Sequence, residues 1–262
     1  MKVTKYSIKK ILKTGGWISI TNMISPIMVY MDRFVLSAIA PLSTLAWYTT
    51  PAEMLSKLLI IPQAITSAML PVLAVDSKVE YGKIISICNK GALTIFALTV
   101  IPTSIIYLFS NEIITLWLGS DFGKNSISVC KWLAVGILVN SIARVPFTAI
   151  QGLGRSDLSA KIHLLEVIPY LLVLYYLVQI YGATGAAMAW ALRSCVDAVL
   201  HHSAFHFITS NGRGLVNIVL VVFLTSLELL PVELLSIFVR LAIVAAIISF
   251  SLALIYKAIV RN

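Results

Sequence analysis

From Gly16 to Leu42 the chain carries no charge except Asp32 and Arg33, and comparable apolar runs recur up to its last residues. Runs of this length, about 20 residues or more, match the thickness of a bilayer when helical. Hydrocarbon offers no hydrogen bonds, so a spanning segment must satisfy its own backbone, which leaves helices and closed barrels. Barrel strands alternate apolar and polar over about 10 residues; these runs are continuous. Composition agrees, with 59% hydrophobic residues, 12% charged residues and a mean hydropathy of +0.95. A soluble domain carries about 25% charged residues. The fold class that follows is all-α: a polytopic transmembrane helical bundle.

The opening MKVTKYSIKKILKTGG is basic, as a signal peptide would be. The apolar run behind it is longer than a signal core of about 7–15 residues and lacks a small-residue cleavage site, so it reads as a retained first span. About eight spans are expected, over 16–39, 45–74, 86–109, 126–150, 161–181, 184–208, 214–231 and 235–257. Pro41-Leu42-Ser43 makes a tight turn, 74–83 a charged loop, and 119–126 and 151–157 turn-rich loops. YGATG (181–185) is a glycine turn, SNGRG (210–214) a basic one, and Glu228 to Glu233 an acidic one around Pro231.

Lysine and arginine in short loops set orientation. One set of connections holds thirteen: Lys2, Lys5, Lys9, Lys10, Lys13, Lys78, Lys83, Lys90, Arg155, Lys161, Arg213, Lys257 and Arg261. The other holds two, Lys124 and Lys131. Both termini are therefore expected on the cytoplasmic side. The net charge of +9 is mostly this asymmetry, which attracts anionic membrane lipids and gives no sign of nucleic-acid binding. NEIITLWLGSDF (111–122) reads as a short interfacial helix with Trp117 at headgroup level, and Trp17, Trp47 and Tyr48 as belt anchors rather than site residues.

Nine charges remain inside spans: Asp32, Arg33, Glu53, Lys57, Arg144, Glu166, Arg193, Asp197 and Arg240. An intramembrane charge is a candidate site by default. Glu53/Lys57 and Arg193/Asp197 stand at i, i+4, where side chains are neighbours and can neutralise each other. Asp32 and Arg33 are adjacent, so they point about 100° apart and cannot pair well. Asp32 lies about 25 Å along its span by helical rise, toward the outer side. Arg33 there either snorkels to the outer headgroups or lines a water-filled cavity between helices.

Prolines 26, 51, 62, 71, 102, 146 and 169 fall in or at the edges of spans. The carbonyls they free are tolerated when buried in protein or facing a cavity, which suits a transporter. Asn22, Ser25, Thr66, Ser67, Asn140, Ser141 and Gln151 add polar groups to the same spans. Cys88, Cys130 and Cys195 lie far apart and read as buried thiols at helix contacts. His201, His202 and His206 read as an interfacial helix end in preference to a metal site. No hydrolase elbow, zinc-protease motif or P-loop is present, so no enzyme, resident metal or cofactor is expected. Gly182/Ala186 and Gly185/Ala189 have the spacing of close helix packing.

Four stretches carry a family resemblance. GGWISITNMISPIMVYMDRFVLSAIAPLSTLAWYTTP (15–51), KLLIIPQAITSAMLPVLA (57–74), FTAIQGLGRSDLSAKIHLLEVIPYLLVLYYL (147–177) and YGATGAAMAWALRSCVDAV (181–199) resemble, in order, the seventh helix, the eighth, the tenth-to-eleventh connection and the twelfth helix of bacterial polysaccharide or O-antigen flippases, in the multidrug/oligosaccharidyl-lipid/polysaccharide exporter superfamily. The resemblance implies fourteen helices, arranged as two six-helix lobes around a central cavity plus a final pair. This chain would supply a basic segment (1–14), the second lobe (15–208) and the last two helices (209–262). The first lobe would come from elsewhere: the chain is then a truncated or split gene product, or a half that needs a second chain.

Such flippases move undecaprenyl-pyrophosphate-linked oligosaccharides across the bacterial inner membrane for O-antigen, capsule or exopolysaccharide synthesis. The expected partners are thus a lipid-linked oligosaccharide and membrane lipids. On this reading Arg33, Lys57 and Arg144 line the cavity and attract the pyrophosphate, and Asp32 and Glu166 tune them or carry a coupling proton. Two alternatives stand beside it. A drug or cation exporter on the same fold would favour unpaired embedded acids, but embedded cations outnumber acids five to four. The other is an inactive membrane fragment or scaffold; upstream of Met1, an open frame for six more spans would indicate a frameshift or misassigned start, and a separate short membrane protein a two-chain transporter.

Overall fold

The computed structural model describes residues 5–74, 81–209 and 235–260, with side chains over 15–74, 81–209 and 235–256. The described residues form helices and no strand: α1 (Lys5–Ile39), α2 (Leu42–Ser56), a 3-10 turn (Lys57–Leu59), α3 (Ile60–Ala74), α4 (Tyr81–Leu108), α5 (Ser110–Leu118), α6 (Ser120–Gly152), α7 (Ser156–Thr209) and α8 (Ile237–Val260).

α6 is the axis of the bundle. Its middle, LAVGILVNSIA (133–143), is apolar on nearly all sides, the pattern of a helix surrounded by protein, and almost every one of those residues is buried. α2, α3, α4, α5 and α7 all pack against it, α1 packs along α7, and α8 packs on α4. Gly136 of α6 meets the second half of α7 so closely that a Cβ there would stand 2.5 Å from Cζ3 of Trp190. This is the close backbone approach that small residues permit between membrane helices.

α7 folds back on itself. Gly182 has φ 55° and ψ −127°, outside the helical region, and only glycine adopts such backbone at little cost. Beside it, a Cβ on Gly185 would lie 2.0 Å from the carbonyl oxygen of Leu177. The glycine turn expected at 181–185 is therefore real, and it makes a hairpin of residues 156–181 and 183–209. Residues equidistant from Gly182 meet across it. His163 and His201, each nineteen residues away, have ring centroids 5.4 Å apart.

The bundle is helical as expected, but the count of eight spans is corrected. Five described segments are long and apolar enough to cross a membrane: Leu42–Ala74, Tyr81–Leu108, Ser120–Gly152, Ser156–Thr209 and Ile237–Tyr256. Two expected spans merge in α7, joined through the bend at Gly182. α1, with Asn22, Ser25, Asp32 and Arg33 along it, falls below the required hydropathy. The expected span 214–231 and the turns at 210–214 and 228–233 lie outside the described residues, as does most of the loop 74–83.

Other connections are tighter than expected. The 119–126 loop reduces to Gly119, at φ 88°, and α6 starts at Ser120. Pro41 turns the chain between α1 and α2, its carbonyl accepting the N–H groups of Thr44 (2.9 Å) and Leu45 (3.3 Å). Gly154, at φ 74°, closes the turn between α6 and α7. α5 is the short helix expected near 111–122, with Leu116 and Trp117 exposed. Cys88 and Cys130 are buried thiols and Cys195 is half-buried.

Candidate substrate cavity

α1, α2, α6 and both halves of α7 converge on a cavity of about 340 Å³. Asp32 and Arg33 of α1, Arg144 of α6, and Arg193 and Asp197 of α7 line it, with Tyr48, His163 and Asn140. Five of the nine candidate charges are thus brought to one space from three helices far apart in sequence.

Asp32 is buried. Its Oδ2 accepts a hydrogen bond from the Tyr48 hydroxyl, and its Oδ1 accepts the backbone N–H of Arg33 at 2.6 Å. Tyr48 is itself 1% exposed, which corrects its reading as a belt anchor: α2 turns its ring inward because the Asp32 carboxylate needs a donor in a dry setting. Arg33 points elsewhere, as the 100° offset requires. Its guanidinium lies 5.2 Å over the Tyr30 ring and 3.6 Å from Glu53 Oε1.

The expected i, i+4 pairs give way to partners on other turns and helices. Glu53 turns to Arg33 rather than to Lys57, which opens the 3-10 turn and is exposed. Asp197 approaches two histidines: its Oδ1 lies 3.0 Å from His201 Nδ1 and 3.5 Å from His163 Nε2. Arg193 instead stacks over the Tyr170 ring at 5.5 Å. Burial explains both choices, because short contacts to buried rings satisfy a charge without water.

Four candidates lie off the cavity lining: Glu53, which pairs with Arg33, and Lys57, Glu166 and Arg240. Glu166 is buried, with both carboxylate oxygens lacking a hydrogen-bond partner among the described residues. Arg240 sits at the far side of the bundle, where it tethers α8. It donates to Glu112 Oε1 (2.8 Å), to the Leu108 carbonyl (3.3 Å) and to the Leu235 carbonyl (3.1 Å). Lys57 stands beside the lining residues Ser56 and Leu59.

The electrostatic outcome is uneven. Of the two cavity acids, Asp32 is hydrogen-bonded by Tyr48, and Asp197 lies 3.0 and 3.5 Å from two imidazoles without a hydrogen bond to Oδ1 among the described residues. The Nε atoms of Arg144 and Arg193 are buried with no hydrogen-bond partner among the described residues. A buried guanidinium left with spare donors is costly unless an anion supplies acceptors. The cavity is therefore equipped for an anionic group of phosphate or carboxylate type.

Two of these residues escaped sequence reasoning. Tyr48 was legible only as an aromatic at a helix start. His163 carried no motif, although its offset from the Gly182 turn equals that of His201. His201 itself is 0% exposed, so it is no interfacial tip.

No protein-family model and no solved structure matches the chain. Among curated proteins it is 40% identical over 196 residues to the "Putative O-antigen transporter" of Shigella flexneri, covering 74% of this chain and 46% of that protein. It is 28% identical over 183 residues to the "Probable low-salt glycan biosynthesis flippase Agl15" of Haloferax volcanii, covering 69% of this chain and 38% of that protein. The chain thus spans less than half the length of each relative. With the helical membrane bundle, these matches support an O-antigen flippase family for the chain.

Proposed function

We propose that this chain forms one wall of the passage through which a lipid-linked oligosaccharide, carried on undecaprenyl pyrophosphate, crosses the bacterial inner membrane. The observation that carries the reading is the pair of buried Nε atoms on Arg144 and Arg193, unpartnered among the described residues, in a cavity whose acids lie against Tyr48 and two imidazoles. A pyrophosphate supplies the missing acceptors, and Arg33 at the cavity rim adds a third cation. Burial strengthens the attraction, since two unit charges interact several-fold more strongly away from bulk water.

In such transporters the substrate passes between two repeats. The opposite wall is supplied by a first lobe, on the same polypeptide or on a second chain. The lysine and arginine bias supports a cytoplasmic side for both termini. The cation-exporter alternative rests on Glu166, the buried acid with two unpartnered oxygens. Glu166 lies off the cavity lining, whereas the two unpartnered arginine donors belong to lining residues, so the anion reading has the stronger support.

The test is complementation. A strain lacking its flippase receives this chain alone, or this chain joined to the part of the Shigella flexneri relative that it does not match. Surface polysaccharide is expected from the joined form and to fall when Arg144 or Arg193 becomes Gln. Polymer undiminished by both changes contradicts the proposal.

A further inference from the structure

His163, Asp197 and His201 form a cluster in which one ligand atom from each lies within 4.8 Å of the others. The hairpin at Gly182 builds it. His163 comes from the first half of α7, and Asp197 and His201 from successive turns of the second. All three are buried, at 6%, 8% and 0% exposure.

We propose that these three side chains bind a divalent transition-metal ion of the zinc class at the edge of the cavity. Ligands bound tetrahedrally at about 2.0–2.1 Å stand about 3.3–3.4 Å from one another. The observed separations from Asp197 Oδ1, 3.0 Å to His201 Nδ1 and 3.5 Å to His163 Nε2, bracket that value. Asp197 Oδ1 has no hydrogen-bond partner among the described residues, and His201 Nδ1 lies 3.0 Å from the Asp197 backbone carbonyl, a contact it gives up to ligate the ion.

The donor set fits the ion. Two imidazoles and a carboxylate suit zinc, cobalt, nickel, manganese or iron(II), and three protein ligands leave a position open. His163 and Asp197 both line the cavity, so the open position faces it. Outer groups hold the rings in place. Ser25 Oγ lies 3.4 Å from His163 Nδ1, which leaves Nε2 for the metal. Phe147 stacks on His163 at 5.7 Å and meets His201 edge-on at 5.3 Å. Glu166, with two unpartnered buried oxygens, is within Coulombic reach of Asp197 and His201. This site stands on its own geometry and does not depend on the substrate reading.

The test uses the 262-residue chain, purified in nanodiscs without a histidine tag, stripped with chelator and dialysed against zinc or cobalt(II). About one zinc per chain is expected, with an X-ray absorption signature of nitrogen and oxygen ligands including imidazole, and cobalt is expected to give visible absorption bands. His163→Ala and His201→Ala are expected to weaken binding at least tenfold, and His202→Ala and His206→Ala to leave it unchanged. Substoichiometric binding by the wild-type chain, a sulfur-containing shell, or affinity unchanged in both cluster variants would overturn the proposal. The absorption measurement reads the wild-type chain, so it decides the matter even where a variant fails to fold.

Discussion

The Tyr48 hydroxyl donates a hydrogen bond to Oδ2 of Asp32, joining α2 to α1 in the interior of the bundle. Both residues are almost fully buried. Tyr48→Phe keeps the ring and removes the donor, leaving the carboxylate short of one partner. A loss of about 1–3 kcal/mol is expected for a buried group left unsatisfied. Asp32→Asn in the Tyr48→Phe background is expected to cost less than it does alone, because the two residues are coupled. Thermal unfolding in detergent, run as a double-mutant cycle, measures the coupling; additive effects would show that the contact contributes nothing.

Gly185 makes the narrowest approach in the α7 hairpin. A methyl group there would collide with the Leu177 backbone at 2.0 Å, so Gly185→Ala must open the turn that aligns 156–181 with 183–209. Among the described residues nothing lies within 4 Å of a Cβ added at Gly15 or Gly16, so Gly16→Ala is expected to be tolerated. Expression of monodisperse protein in detergent compares the two: loss for Gly185→Ala, and wild-type behaviour for Gly16→Ala. Equal yields would contradict the hairpin geometry.

Arg240 belongs to α8 but reaches Glu112 and the end of α4. Glu112 is 44% exposed at the side chain, so the ion pair alone is worth about 1 kcal/mol or less. Arg240→Met removes the carbonyl contacts as well. Faster proteolysis around α8 is expected, with surface polysaccharide from the joined form largely kept. A loss of transport as deep as that of Arg144→Gln would move Arg240 into the substrate path.

Much of the architecture is legible in the sequence because bilayer physics acts on long runs of residues. Hydropathy finds the runs within Leu42–Ala74, Tyr81–Leu108, Ser120–Gly152, Ser156–Thr209 and Ile237–Tyr256 but overcounts at 16–39, and Pro41, Gly154 and Gly182 mark turns through backbone constraints that need no neighbours. The site is less legible because its partners come from distant helices. The i, i+4 rule suggested Asp197 with Arg193, but a carboxylate within reach of two buried imidazoles takes those instead. Tyr48 looks like an interfacial aromatic until α2 is packed against α1. The adjacent Asp32 and Arg33 did disclose in advance that they serve different partners, since helical geometry forbids their pairing.

The central claim is that Arg144 and Arg193 hold the anionic link of a lipid carrier, and direct binding tests it most closely. The chain in nanodiscs is titrated with undecaprenyl pyrophosphate, and with undecaprenol as the uncharged control. A charge-assisted hydrogen bond is worth about 1.5–3 kcal/mol, so Arg144→Gln and Arg193→Gln are each expected to weaken binding of the pyrophosphate about tenfold or more, while undecaprenol binds weakly and alike in all variants. Equal affinity for the charged and uncharged lipids, unchanged by either substitution, would contradict the account.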